Sequence, residues 1–198
     1  MVHTPMVFLT RMDTDALETI ARISARERLR ITSSQGATMA ELPDKVRALA
    51  EVVRALERLG AAHALVGGVA VGIRSGVPRA TMDTDLAVRS TVDRTRLIEA
   101  LTAAGLSHTG TFAHSINFRH RSGEPIQIVL DSEFDAMIDR AEQLDLGGTR
   151  APVVTTADLI RMKERAAADP ARRRSKALRD QADIELLRGD VPEPDEGW

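Results

Sequence analysis

Four polar side chains recur at every second position between residues 79 and 85: Arg79, Thr81, Asp83 and Asp85. That period is a strand's, so the sequence predicts all four on one face of a β-strand ending near Arg89. Two carboxylates two residues apart can grip one divalent cation. A hard cation such as magnesium takes one or two carboxylates together with phosphate oxygens. Just upstream, an apolar run ends in Gly67-Gly68. A glycine pair lets backbone come close to a phosphate, the more so where a helix begins. A D-x-D pair alone is common on solvated strands, and Gly-Gly alone can be a plain strand-to-helix turn. Their adjacency, with Arg79 and Thr81 beside them, points to a metal-dependent site for a nucleoside triphosphate. The dinucleotide spacing G-x-G-x-x-G is absent, and no Gly-Lys-Ser/Thr follows as in a P-loop.

The elements that must position these residues are legible in part. Asp13 or Thr14 can cap a first helix to about Arg30, with Leu17, Ile20, Ala21 and Ser24 on one stripe; Ser33 to Gly36 reads as a loop. Leu42-Pro43-Asp44 opens a second helix that stops at Gly60. Ala62 to Val66 is continuously apolar, which suits a central buried strand. Gly67-Gly68 then starts a third helix to about Arg74, broken by Ser75-Gly76-Val77-Pro78. A fourth helix begins at Thr91-Val92-Asp93. Ser115 to His120 and Pro125 to Leu130 read as a hairpin around Arg121–Glu124. Asp131 or Ser132 caps a helix to about Gln143, and Ala151 to Val154 reads as a short edge strand. Thr155 to Asp158 is close to a capping box, with a helix to about Ala168 and another from Ala171 to about Arg188. The order implies an α+β (mixed α/β) fold. Four units are expected: a helical arm (1–42), a core (43–154), a helical segment completing the site (155–188) and an acidic mobile tail (189–198).

Composition narrows the function classes. With 43% hydrophobic residues in 198, the chain can build a core without staples. Aromatics are only 3%, which argues against base-stacking platforms for single strands. A net charge of -2 gives no global basic field. The absence of cysteine excludes disulfides, thiolate zinc sites and thiol nucleophiles. No signal peptide and no membrane-length apolar run is visible, so a cytoplasmic protein without membrane contact is expected.

The stretch GGVAVGIRSGVPRATMDTD resembles the nucleotidyltransferase superfamily of DNA polymerase β-like fold. It looks most like the AbiEii-type nucleotidyltransferases of toxin–antitoxin and phage-defence systems, and small antibiotic-modifying nucleotidyltransferases share the motif. The resemblance spans roughly residues 45 to 188. It implies a mixed sheet flanked by helices, with Mg2+ (or Mn2+) held by Asp83 and Asp85. It implies an NTP whose phosphates meet Gly67, Gly68, Thr81 and Arg79, and transfer of a nucleotidyl group to an acceptor hydroxyl. The acceptor is open between RNA, protein and a small molecule, and an antitoxin is a possible partner. AbiEii-like chains carry a lysine on one late helix and an arginine/aspartate group on the next. Lys163 and Arg179-Asp180-Gln181-Ala182-Asp183 match. Lys163 shares the inward stripe of Leu159 and Ile160, so it must meet an anion there, a ligand phosphate or Asp180. The expected catalytic set is therefore Asp83, Asp85, Lys163 and Asp180. A plain Lys163–Asp180 ion pair joining two helices is the alternative, and both roles can coexist.

One position departs from the family pattern. The superfamily usually has a third carboxylate on a neighbouring strand, and by register Gln127 stands there. An amide cannot take up a proton, so general-base help from that position is lost. Asp131 and Glu124 are weaker substitutes, and His114 and His120 lie on or near a strand that could face the site. Gln127 also supports a rival reading, a catalytically weakened relative that acts as a binding or antitoxin protein. Finally, Arg161, Lys163, Arg165, Arg172, Arg173, Arg174, Lys176 and Arg179 form a basic run, either a solvated face or a dock for an RNA backbone.

Overall fold

The computed structural model describes residues 9–32 and 44–189. The expected loop at Ser33 to Gly36 and the tail from residue 190 onward lie outside them. Helix α1 (Leu9–Thr32) comes first. Helix α2 (Lys45–Leu59) is capped by Asp44, whose carboxylate accepts from the Arg47 amide at 2.9 Å, and ends on Gly60 at φ +70. Strand β1 (His63–Val66), helix α3 (Gly67–Ser75), strand β2 (Thr84–Val88) and helix α4 (Arg94–Ala103) follow. Then come β3 (Leu106–Thr111), β4 (Ser115–His120) and β5 (Pro125–Val129). A 3-10 turn (Ser132–Phe134), the short helix α5 (Asp135–Asp139), β6 (Glu142–Asp145) and β7 (Arg150–Val153) lead to the closing pair α6 (Thr156–Ala168) and α7 (Arg174–Arg188).

The seven strands form one mixed sheet, ordered β3-β4-β5-β2-β1-β7-β6. The middle is β2 against β1, antiparallel, with β5 parallel to β2 and β7 parallel to β1. Every residue of β1 is buried, so Ala64 to Val66 are apolar without a break, while the strand opens on a buried His63 that interrupts the expected apolar run. One core runs through both faces, from Leu49, Val52 and Leu56 of α2 to Val69 and Val71 of α3 and Leu159 of α6. Leu17 and Ile20 of α1 join it. Ile20 reaches α3 because residue 72 is glycine: a Cβ there would lie 2.7 Å from Ile20 Cδ1.

The structure is α+β, as the sequence implies; α1 begins at Leu9 rather than after a cap at Asp13 or Thr14, and four further local expectations are corrected. First, β2 begins at Thr84, so Arg79, Thr81 and Asp83 lie in the loop before it rather than on the strand. The ladder cannot reach back to them: Val66 pairs with Asp85, and at Gly67 the chain of β1 turns into a helix. Second, no helix runs to Gln143. The 3-10 turn and α5 end at Asp139, and Glu142–Asp145 is a strand. Third, β7 is interior, because β6 covers its outer side. Fourth, β3 is a strand that period-2 reading misses. Four of its six residues are exposed at the sheet margin, and its pairing shifts between His108 and Gly110.

Candidate active site

Asp85 sits where three backbones converge. It is paired with Val66 on one side and with Gln127 on the other. The α3 start closes over it. Gly67 has φ +67, and a Cβ there would lie 2.0 Å from Asp85 Oδ2. The Gly68 amide donates to the Asp85 carboxylate. Gly68 in turn leaves room for Thr81, whose Oγ1 would lie 2.7 Å from an added Cβ. The glycine pair thus admits two polar side chains to the helix start, and one of them already takes an amide that a phosphate would take. Burial, and then the neighbouring Asp83, push the Asp85 carboxyl up to about 7, while Lys45 and Lys163 pull it back. Asp83 is exposed, with Thr81 Oγ1 3.4 Å from its Oδ1.

Lys163, Asp180 and Arg79 meet in a cluster that the sequence only partly disclosed. Lys163 Nζ lies 2.8 Å from Asp180 Oδ1 and 2.8 Å from Asp183 Oδ2. Arg79 Nη2 donates to Asp183 Oδ2 at 2.8 Å, and its Nε stands 2.7 Å from Oδ1. Arg172 Nε donates to Asp180 Oδ2 at 2.7 Å. Three cations therefore share two buried carboxylates, which are 2% and 1% exposed at their side chains. Asp183 is the residue that joins the loop before β2 to both closing helices. Its signal was available: it lies three residues after Asp180, hence on the same helix face.

Two clefts open from Asp85. One, of about 710 Å³, has an apolar wall of Val66, Val129, Phe134 and Met162. The other, of about 550 Å³, is lined by Gly67, Gly68, Arg79, Thr81 and Asp83, with Lys176 and Arg179 at its side. Gly67, Asp85, Gln127, Lys163, Arg172 and Asp180 belong to both. All eight expected site residues therefore line this double cleft, and so does Gln127, whose Nε2 is 3.5 Å from Asn117 Oδ1.

The substitutes for a third carboxylate line neither cleft. Glu124 is buried against Lys45 and Thr84. Asp131 caps the 3-10 turn and meets His114 at 3.0 Å. His120 is buried between Glu51 and Ser122. Among the described residues no group of three or more His, Cys, Asp or Glu could cage a metal. Two carboxylates with one held near neutrality still fit a hard divalent cation that takes its other oxygens from a phosphate. Within the basic run, Arg161 pairs with Asp158 and Arg165 with Glu133, whereas Arg173, Arg174, Lys176 and Arg179 make no ion pair among the described residues.

No protein-family model matches the chain, and no curated protein matches it in sequence. Solved structures do match in fold. An antigenic nucleotidyltransferase-like protein from Paracoccidioides brasiliensis superposes with a TM-score of 0.52 at 22% identity, over 78% of this chain and 81% of that one. The lincosamide antibiotic adenylyltransferase LnuA, solved with lincomycin bound, gives 0.54 at 13% identity, over 76% of this chain and 99% of its own. ANT(2")-Ia in complex with adenylyl-2"-tobramycin gives 0.52 at 15% identity, over 75% and 90%. At these identities the likeness is one of architecture: the chain has a nucleotidyltransferase-like fold, with Asp83 and Asp85 at the head of its central strand pair.

Proposed function

We propose that this protein is a metal-dependent nucleotidyltransferase, moving a nucleotidyl group from an NTP to an acceptor hydroxyl. One observation carries the reading. Asp85 stands at the junction of two clefts, one polar and glycine-floored, the other with an apolar wall, and Asp83 joins it on the polar side. Asp83 and Asp85 would hold Mg2+ or Mn2+, which when bound supplies charge neutralisation to the triphosphate. Gly67, Gly68 and Thr81 would receive phosphate oxygens on the polar side. Arg79 and Lys163, already clustered there, would offset charge growing on the pyrophosphate. Asp180 would keep Lys163 oriented. In the transfer, the acceptor oxygen bonds to the α-phosphorus, the bond from that phosphorus to the bridging oxygen breaks, and pyrophosphate leaves with the electron pair. The acceptor's proton passes to water, because Gln127 cannot take it.

The apolar-walled cleft has the size of a small-molecule site, and two neighbours of similar fold were solved with small antibiotics or their adducts. A small hydroxyl compound is therefore the preferred acceptor. The second reading is an RNA or protein acceptor, as in AbiEii-type toxins with an antitoxin partner. It is favoured by Lys176 and Arg179, which line the polar cleft and make no ion pair among the described residues. The test incubates the protein with each labelled NTP, magnesium, and pools of small alcohols or RNAs. Label transfer abolished by Asp83→Ala supports the enzyme, and the pool that takes label selects the acceptor. A wild-type protein that binds neither magnesium nor any triphosphate sinks the reading.

A further inference from the structure

Asp83 lies outside the sheet ladder, yet three consecutive residues of its loop are gripped through their backbones by side chains from elsewhere. The Thr81 amide donates to Ser24 Oγ of α1 at 3.0 Å. The Met82 carbonyl accepts from Arg28, also of α1. The Asp83 carbonyl accepts from Lys45 Nζ at the start of α2, at 3.1 Å. These bonds stand in for the strand pairing that the loop lacks.

The hub beneath the loop is a buried carboxylate. Glu124, in the turn between β4 and β5, is 1% exposed. It accepts from Lys45, from Thr84 Oγ1 at 2.9 Å and from Arg28 Nη2 at 3.1 Å. Lys45 is 2% exposed, and its ammonium donates to the Asp83 carbonyl, Thr84 Oγ1 and Glu124. Burial draws that ammonium below the usual lysine range, and Glu124 opposes the shift. A lysine and a glutamate this deep cost free energy that an apolar pair would not. Their geometry gives fixed donors and acceptors in return, and every one is spent on Asp83, Thr84 or the arginine that holds Met82. Helix α1 also supplies Glu27 and Ile31 to the wall of the polar cleft.

We infer that Ser24, Arg28, Lys45 and Glu124 are positioning residues for Asp83, so that α1 is a structural part of the nucleotide site rather than a packing arm. The inference rests on the nucleotide reading for what Asp83 binds, but not for what holds Asp83 in place. Losing one bond to the loop lets Asp83 leave the orientation shared with Asp85. A ligand that needs both carboxylates then binds more weakly, by about five- to tenfold for one hydrogen bond.

The experiment compares Ser24→Ala and Arg28→Met with Leu17→Ala, which thins the packing of the same helix without touching the loop. Mn2+ with a non-hydrolysable ATP analogue is titrated by electron paramagnetic resonance, melting temperatures are recorded, and amide exchange is followed over residues 79–83. The expected result is faster Thr81 exchange and five- to tenfold weaker Mn2+ binding in Ser24→Ala. Arg28→Met shows a similar loss of affinity, and Leu17→Ala shows neither at an equal or larger drop in melting temperature. Wild-type affinity in both loop variants, or losses that merely follow melting temperature across all three, overturns the inference. If wild type binds no Mn2+ with nucleotide, the functional reading fails separately, and exchange alone decides. Lost Thr81 protection in Ser24→Ala upholds the clamp, and unchanged protection overturns it.

Discussion

Asp85 and Gln127 are register partners across the parallel β2–β5 pair. The amide therefore neighbours a carboxyl already pushed up to about 7 by burial and by Asp83. Gln127→Glu places a third acid there. Like charges raise one another's pKa, so the metal-free variant loses stability at pH 8 and little at pH 4. The same crowding makes a divalent cation more welcome, and Mn2+ affinity is expected to rise about tenfold. With a hydroxyl acceptor, turnover should rise by about tenfold or more, since a glutamate can take the proton that the amide cannot. Unchanged Mn2+ affinity would mean that position 127 does not share the ion with Asp85.

Asp85 itself should govern the neutral limb of the stability profile. Its carboxyl titrates near 3.8 when unfolded and at about 7 in the fold. Between those values the native state holds a proton that the unfolded state has released, so stability falls as pH rises through that window. After discounting for its half-buried position, the loss by pH 8 is about 2 kcal/mol. Asp85→Asn removes it: the variant melts above wild type at pH 8 and with wild type at pH 4. Adding magnesium with a triphosphate raises the melting temperature of wild type and leaves the variant unmoved. Parallel melting profiles across the window would place the titration elsewhere.

How much of this was readable from the sequence depended on what each residue touches. Central strand β1 and the β4–β5 hairpin follow from local patterns, and Asp85 opposite Gln127 follows from counting along them. Arg79 and Thr81 were grouped with the aspartates correctly in space but for the wrong reason. They reach the cleft from a loop held by side chains, not from a strand face. The clamp was invisible because its bonded partners lie far apart, Arg28 and Glu124 by 96 positions, and a buried lysine looks like any other lysine in a sequence. Edge strands β3 and β6 were missed because sheet margins tolerate polar residues on both faces.

Arg79 and Asp183 are separated by 104 positions and meet in a contact of 2.8 Å. Asp183 is 1% exposed and also receives Lys163, so Asp183→Asn strands two cations and should cost about 2–4 kcal/mol. Arg79→Met should cost less, since Lys163 still pairs with Asp183. In a double-mutant cycle by urea unfolding, the two should couple by about 1–3 kcal/mol. A coupling below about 0.5 kcal/mol would show that the loop and α7 are not energetically joined through this pair.

The acid limb should belong to a pair away from both clefts. The Glu51 carboxyl is lowered to about 2, chiefly by its hydrogen bond with His120, with Arg47 and Arg121 adding to the effect. The contact is 2.9 Å, and the Glu51 side chain is 17% exposed. A lowered carboxylate contributes stability that is present above its unfolded value of 4.5 and disappears as pH falls toward 2. Discounted for solvent, that contribution is about 1–2 kcal/mol, or a few degrees of melting temperature at this size. Glu51→Gln should therefore melt below wild type at pH 7, lose most of that deficit as pH falls to 2.5, and bind Mn2+ with nucleotide as wild type does. A deficit as large at pH 2.5 as at pH 7 would assign the loss to packing around His120 rather than to charge.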